Sequence, residues 1–81
     1  MELKDTVKLM NSENYKDRFK AEYYQTKIRY DKLHKMIVKY DAKALDFELS
    51  CDIDMHRKQA RAMGEYLYYL EVRAVIEHIE L

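Results

Sequence analysis

Proline is absent and glycine occurs once, at Gly64, in a chain of 81 residues. Tight hairpins, phosphate-cradling loops and left-handed turns draw mostly on those two residue types. The chain is therefore confined almost entirely to helix. Its length leaves room for one hydrophobic core of ordinary size and hence for one domain.

Apolar spacing says how the helices pair. Phe19, Tyr23, Thr26, Tyr30, Leu33, Ile37, Tyr40 and Ala44 follow alternating steps of four and three residues, which is a heptad seam. Four of the eight positions are aromatic, too bulky for a regular two-stranded rod, so a packed hairpin or bundle is expected. Upstream, residues 2–10 place Leu3, Val7 and Met10 on one face, a short helix that needs something to dock on. Asn11 and Ser12 offer side-chain oxygens to free amides, and Glu13 suits a helix N-terminus, which predicts a long helix over residues 12–41.

Periodicity is lost over residues 42–52, the expected connecting loop, with Leu45, Phe47 and Leu49 tucked against the end of the hairpin. Ser50 or Asp52 then caps a second long helix over residues 53–79. Its seam is Ala60, Met63, Leu67, Leu70 and Ala74; Tyr66, Tyr69, Val72, Ile76 and Ile79 carry apolar surface further around. Two stripes on one helix imply two packing partners. The fold class expected is all-α: an antiparallel helical hairpin with a short N-terminal helix, assembled into a helical-bundle homo-oligomer. Ala60 and Gly64, a pair of small residues one turn apart, are the candidate oligomer interface.

Fifteen basic and fifteen acidic residues cancel. That balance argues against a nucleic-acid coat. The two halves differ: eleven Lys plus Arg against seven acids in residues 1–44, four against eight in residues 45–81. Antiparallel docking brings these unlike halves together. The longest apolar run, Tyr66 to Leu70, is far short of the roughly 18 residues of a membrane span. One cysteine and no apolar leader point to a soluble protein of the reducing cytoplasm.

Catalytic and metal chemistry find little support. His34, His56 and His78 are scattered, and Cys51, Asp54 and His56, the only local cluster, read as ordinary loop and helix-start residues. No enzyme, metal or cofactor is expected. The unusual feature is eight tyrosines. Tyr23, Tyr30 and Tyr40 lie on the seam, whereas Tyr15, Tyr24, Tyr66, Tyr68 and Tyr69 lie partly off it and suit a partner. An antiparallel hairpin sets Arg18 near Val75, Glu22 near Glu71 and Tyr30 near Met63, gathering Arg18, Glu22, Tyr66, Tyr69 and Arg73 at the open end. Arg18, Tyr66, Tyr69 and Arg73 are the candidate ligand-binding set, because guanidiniums grip phosphate and rings stack on a base. The competing structural reading is an Arg18–Glu22 pair within one helix and a cation–π contact of Arg73 with tyrosine. Lys16, Lys20 and Lys27 form a solvated basic row.

The run Tyr15-Lys16-Asp17-Arg18-Phe19-Lys20-Ala21-Glu22-Tyr23-Tyr24-Gln25, with Ile28 and Leu33 and then Gln59, Met63, Tyr66, Leu70, Glu71 and Arg73, resembles small helical-hairpin accessory proteins of tailed bacteriophages and gut prophages. The resemblance spans about residues 12–79 and implies an accessory role in the cytoplasm of an infected bacterium. The hairpin is also similar in architecture to phage proteins that trap nucleotide immune signals. The function expected is counter-defence: sequestration of a cyclic or ADP-ribose-type nucleotide by a homo-oligomer. The alternatives are direct inhibition of a host defence protein and a structural or regulatory phage role.

Overall fold

In a computed structural model describing residues 1–81, the chain is helical apart from its connections and its two ends. A 3-10 turn, Leu3–Thr6, runs into one turn of helix, α1 (Val7–Met10); two long helices follow, α2 (Tyr15–Asp41) and α3 (Ile53–Ile76). The molecule is a 43 × 25 × 17 Å slab, its length set by α2. It is the expected all-α fold. No helix is long and apolar enough to cross a membrane.

α2 and α3 form an antiparallel hairpin whose register is read from four pairs: Tyr15 with Glu77, Tyr23 with Glu71, Tyr30 with Gly64 and Asp41 with Arg57. Phe19, Tyr23, Leu67, Leu70, Ala74 and Ile79 make the buried cluster, with Tyr24 and Tyr30 packed against it. The aromatic seam thus works as a core only in its first half. Of its later positions Ile37 is buried, but Tyr40 and Ala44 are exposed. The N-terminal segment packs on α2 alone and leaves α3 untouched. Thr6 anchors it: fully buried, it donates to the Leu3 carbonyl at 2.7 Å and accepts from Gln25 Nε2 at 2.9 Å.

Element ends correct the sequence reading in three places. Residues 2–10 are not one regular helix, because the first turn is of the tighter 3-10 form and α1 adds only one turn. The first long helix begins at Tyr15 rather than residue 12: Ser12 Oγ is occupied by the Asn14 amide and the Asp17 carboxylate, and Asn14 caps the helix by accepting from the Lys16 amide. The second stops at Ile76 rather than 79. His78 takes a left-handed conformation (φ 58°), and the Ile79 amide bonds back to the Ala74 carbonyl at 2.8 Å. This is a Schellman ending, and its customary hydrophobic contact is supplied by Ile79, buried in the core. α2 ends likewise, with Lys43 left-handed and the Ala44 amide on the Lys39 carbonyl, but Ala44 stays exposed.

Candidate functional site

The open end of the hairpin is closed by a polar triangle. Tyr15 donates its hydroxyl proton to Glu77 at 2.9 Å and accepts from Arg73 Nη2 at 2.6 Å, while Arg73 Nε donates to Glu77 at 3.1 Å. The Arg73 guanidinium also lies over the Phe19 ring, 4.9 Å from its centre. Each member raises or lowers the others: hydrogen bonds from Tyr15 and Arg73 hold the Glu77 carboxyl below its usual range, and Glu77 in turn raises Arg73 and Tyr15. About two turns further in, Tyr23 donates to Glu71 at 2.6 Å; burial first, then this bond to a carboxylate, pushes its phenol up to about 12.

Of the four residues expected to bind a ligand, Tyr66, Tyr69 and Arg73 share one face of α3, at steps of three and four residues. Tyr66 and Tyr69 are exposed, and Tyr69 tilts against Tyr68. Arg18, on α2, turns away to donate to the Ser12 carbonyl at 2.9 Å, and no group bonds both arginines. No concavity is lined by the four together. The Arg18–Glu22 ion pair of the structural reading is not made either. Gly64, expected at an oligomer interface beside Ala60, faces Tyr30 of its own chain. A methyl at Gly64 would lie 3.5 Å from that ring, so the close approach is one within the hairpin.

Three hollows lie elsewhere. The largest, about 700 Å³, opens around the connecting loop between Tyr40, Phe47, Leu49 and Ile53; its charged lining is Asp41, Glu48 and Asp52 against Lys43. On the far side of the same loop a hollow of about 350 Å³ is lined by Lys32, Lys35, Met36, Lys39, Leu45, Asp46 and Phe47. A third, of about 410 Å³, lies between the N-terminal turn and α2 at Leu3, Lys4, Ile28 and Lys32. The three lysines were missed as functional candidates, although their i, i+3, i+7 spacing is visible in the sequence. At the loop, Cys51 Sγ lies 3.3 Å from His56 Nε2, and no group of three or more metal-ligating side chains converges anywhere.

The family model named Sequestin matches residues 13–76, from the residue before the cap of α2 to the last residue of α3. The chain belongs to the Sequestin family. No match to it was found among curated proteins or among solved structures. The Sequestin match takes in both long helices and the loop, and so covers the lysine-lined hollow and, at the open end, Tyr15 and Arg73 but not Glu77.

Proposed function

We propose that this member of the Sequestin family is a non-enzymatic binding protein that sequesters a small anionic nucleotide signal as a homo-oligomer in the cytoplasm of a phage-infected bacterium. The observation that carries the reading is membership of a family whose name denotes sequestration, over 64 of the 81 residues. It suits a scaffold whose surface bears many charges and aromatic rings. At the open end, Tyr66 and Tyr69 are free to stack, and a phosphate oxygen could take the place of the one Glu77 oxygen that accepts from Arg73. Arg18 joins them when a second copy closes the site from outside. Oligomer formation is favoured by the outer face of α3, where Tyr68, Tyr69, Val72, Val75 and Ile76 are exposed opposite the core.

Calorimetry against cyclic dinucleotides and ADP-ribose-type nucleotides tests the proposal. Saturable binding, with the nucleotide recovered intact after denaturation, is the expected result. Failure of every nucleotide to bind overturns it. Light scattering should show a particle larger than the 9.9 kDa chain. The same exposed α3 face favours a second reading, direct inhibition of a host defence protein, because aromatic anchors on an apolar patch suit a protein partner. A stoichiometric host protein retained by the Arg18→Ala, Arg73→Ala double variant, with no nucleotide bound, would select that reading.

A further inference from the structure

The loop end of the hairpin holds a second collection of groups, whose three lysines make no ion pair within the chain. Lys32, Lys35 and Lys39 project along one face of α2 at steps of three and four residues, and all three are exposed. No carboxylate comes within 4.0 Å of any of them; the ion pairs of the molecule use Lys4, Lys27, Arg57 and Arg73. Like charges at this spacing oppose helix formation. The negative C-terminal end of α2 compensates Lys39, which lies in the last turn, but that field fades within a turn and leaves Lys32 and Lys35 uncompensated.

The floor and wall between the lysines are apolar. Met36 and Leu45 are half-buried, and Phe47 stands at the rim 56% exposed, held there by the returning loop. Asp46 is the single acid in the lining, so the hollow is cationic by two charges. Lys32 also lines the separate hollow beside Glu2, Lys4 and Ile28. Each of the two has the volume of a small-ligand site, on the order of 300 Å³ or more. The larger hollow across the loop has the opposite sign: Asp41, Glu48 and Asp52 would repel an anion, and Asp41 is already paired with Arg57.

We infer that the trough formed by Lys32, Lys35, Lys39 and Phe47 binds a nucleoside oligophosphate, the lysines taking the phosphates and the Phe47 ring stacking on the base. Three ammonium groups in a row match a chain of phosphates, and each keeps its three donors free. A flat ring at the rim gives the base somewhere to lie, which a bare phosphate does not need. The inference rests on the sequestration reading only for its ligand class. It adds to the site proposed at Arg73, which has Tyr15, Glu77 and Phe19 as partners, a second phosphate site on cations that have none.

ATP and tripolyphosphate are the probes, titrated into the full-length chain by calorimetry and by amide chemical-shift mapping. ATP should shift residues 32–39 and 45–47. Lys35→Gln and Lys39→Gln should each weaken both probes about tenfold. Phe47→Ala should weaken ATP about tenfold and leave tripolyphosphate unchanged. All three residues are exposed, so the variants should melt with the parent. ATP shifts confined to the Tyr15, Tyr66 and Arg73 region and lost in Arg73→Ala would overturn the inference while keeping the sequestration reading. Loss of Phe47 that weakens the two probes equally would overturn the base contact. Tighter binding of a glutamate-rich peptide than of ATP would make the trough an acidic-peptide site. Absence of any response to either probe at the trough would also overturn the inference, and the nucleotide panel then decides the sequestration reading separately.

Discussion

At the open end of the hairpin, Tyr15, Arg73 and Glu77 close a hydrogen-bonded triangle over Phe19; at the loop end the one ion pair is Arg57 with Asp41, and three lysines stand unpaired. Both long helices finish in the same left-handed turn, yet Ile79 seals the end of α3 into the core while Ala44 leaves the end of α2 open to water. All six residues of the buried cluster lie towards the open end: Phe19 and Tyr23 on α2, Leu67, Leu70 and Ala74 on α3, and Ile79 just beyond it. The buried cluster and the unpaired lysines thus lie towards opposite ends of one 43 Å molecule. A polar group satisfied by its own chain stiffens the fold and has little left for a ligand; one left to water is available at small cost to stability.

The largest test of that contrast is a pair of truncations. Leu70 is 1% exposed, and Leu70→Ala should cost about 2–5 kcal/mol in urea unfolding. Phe47→Ala at the other end should change stability by less than about 0.5 kcal/mol. Similar losses from the two would show that the loop end belongs to the cooperative core.

Tyr23→Phe comes next, at about 1–2 kcal/mol, since it removes a short hydrogen bond to the Glu71 carboxylate. It also carries a pH signature. The folded pKa of about 12 lies above the ordinary 10.0, so the contribution of Tyr23 is complete below pH 10 and is lost as pH rises towards 12. Alkaline denaturation curves of the variant should lack that slope; a retained slope would assign it to another tyrosine.

Gly64→Ala should raise stability by about 0.5–1 kcal/mol, because the helix gains propensity and the new methyl meets Tyr30 at ordinary contact distance. A loss of stability would mean that the ring cannot yield, and a change in particle size would return Gly64 to an interface between copies. The smallest effect belongs to the exposed triangle. Because Glu77 has a lowered folded pKa, its contribution is present above the ordinary carboxylate range and disappears as pH falls through the lowered value. Glu77→Gln should flatten the acid limb of the stability curve slightly, and an unchanged limb would mean that the triangle adds nothing measurable in water.

How far the sequence can be read differs between the same two regions. The absence of proline, the single glycine and the four-three apolar spacing leave few choices besides two long helices, since every one of these features acts over one or two helical turns. Leu67, Leu70 and Ala74 are core in the sequence and core in the fold. Cap competition was harder: Ser12, Asn14 and Asp17 all lie within six residues, and which oxygen meets which amide depends on the chain direction entering α2.

Local spacing alone determined the helices, their antiparallel order and the seam of their first contact. Only the tertiary structure decided the rest. It spent Arg73 on Tyr15 and Glu77, residues 58 positions and one turn away, and turned Arg18 to Ser12. It also brought Phe47 to the hollow lined by Lys35 and Lys39 through a loop with no periodicity of its own. The physical reason is the range of the interactions. Helix periodicity is a property of neighbours three and four residues apart, whereas the partner of a long charged side chain is chosen among every group that chain reversal sets within its reach.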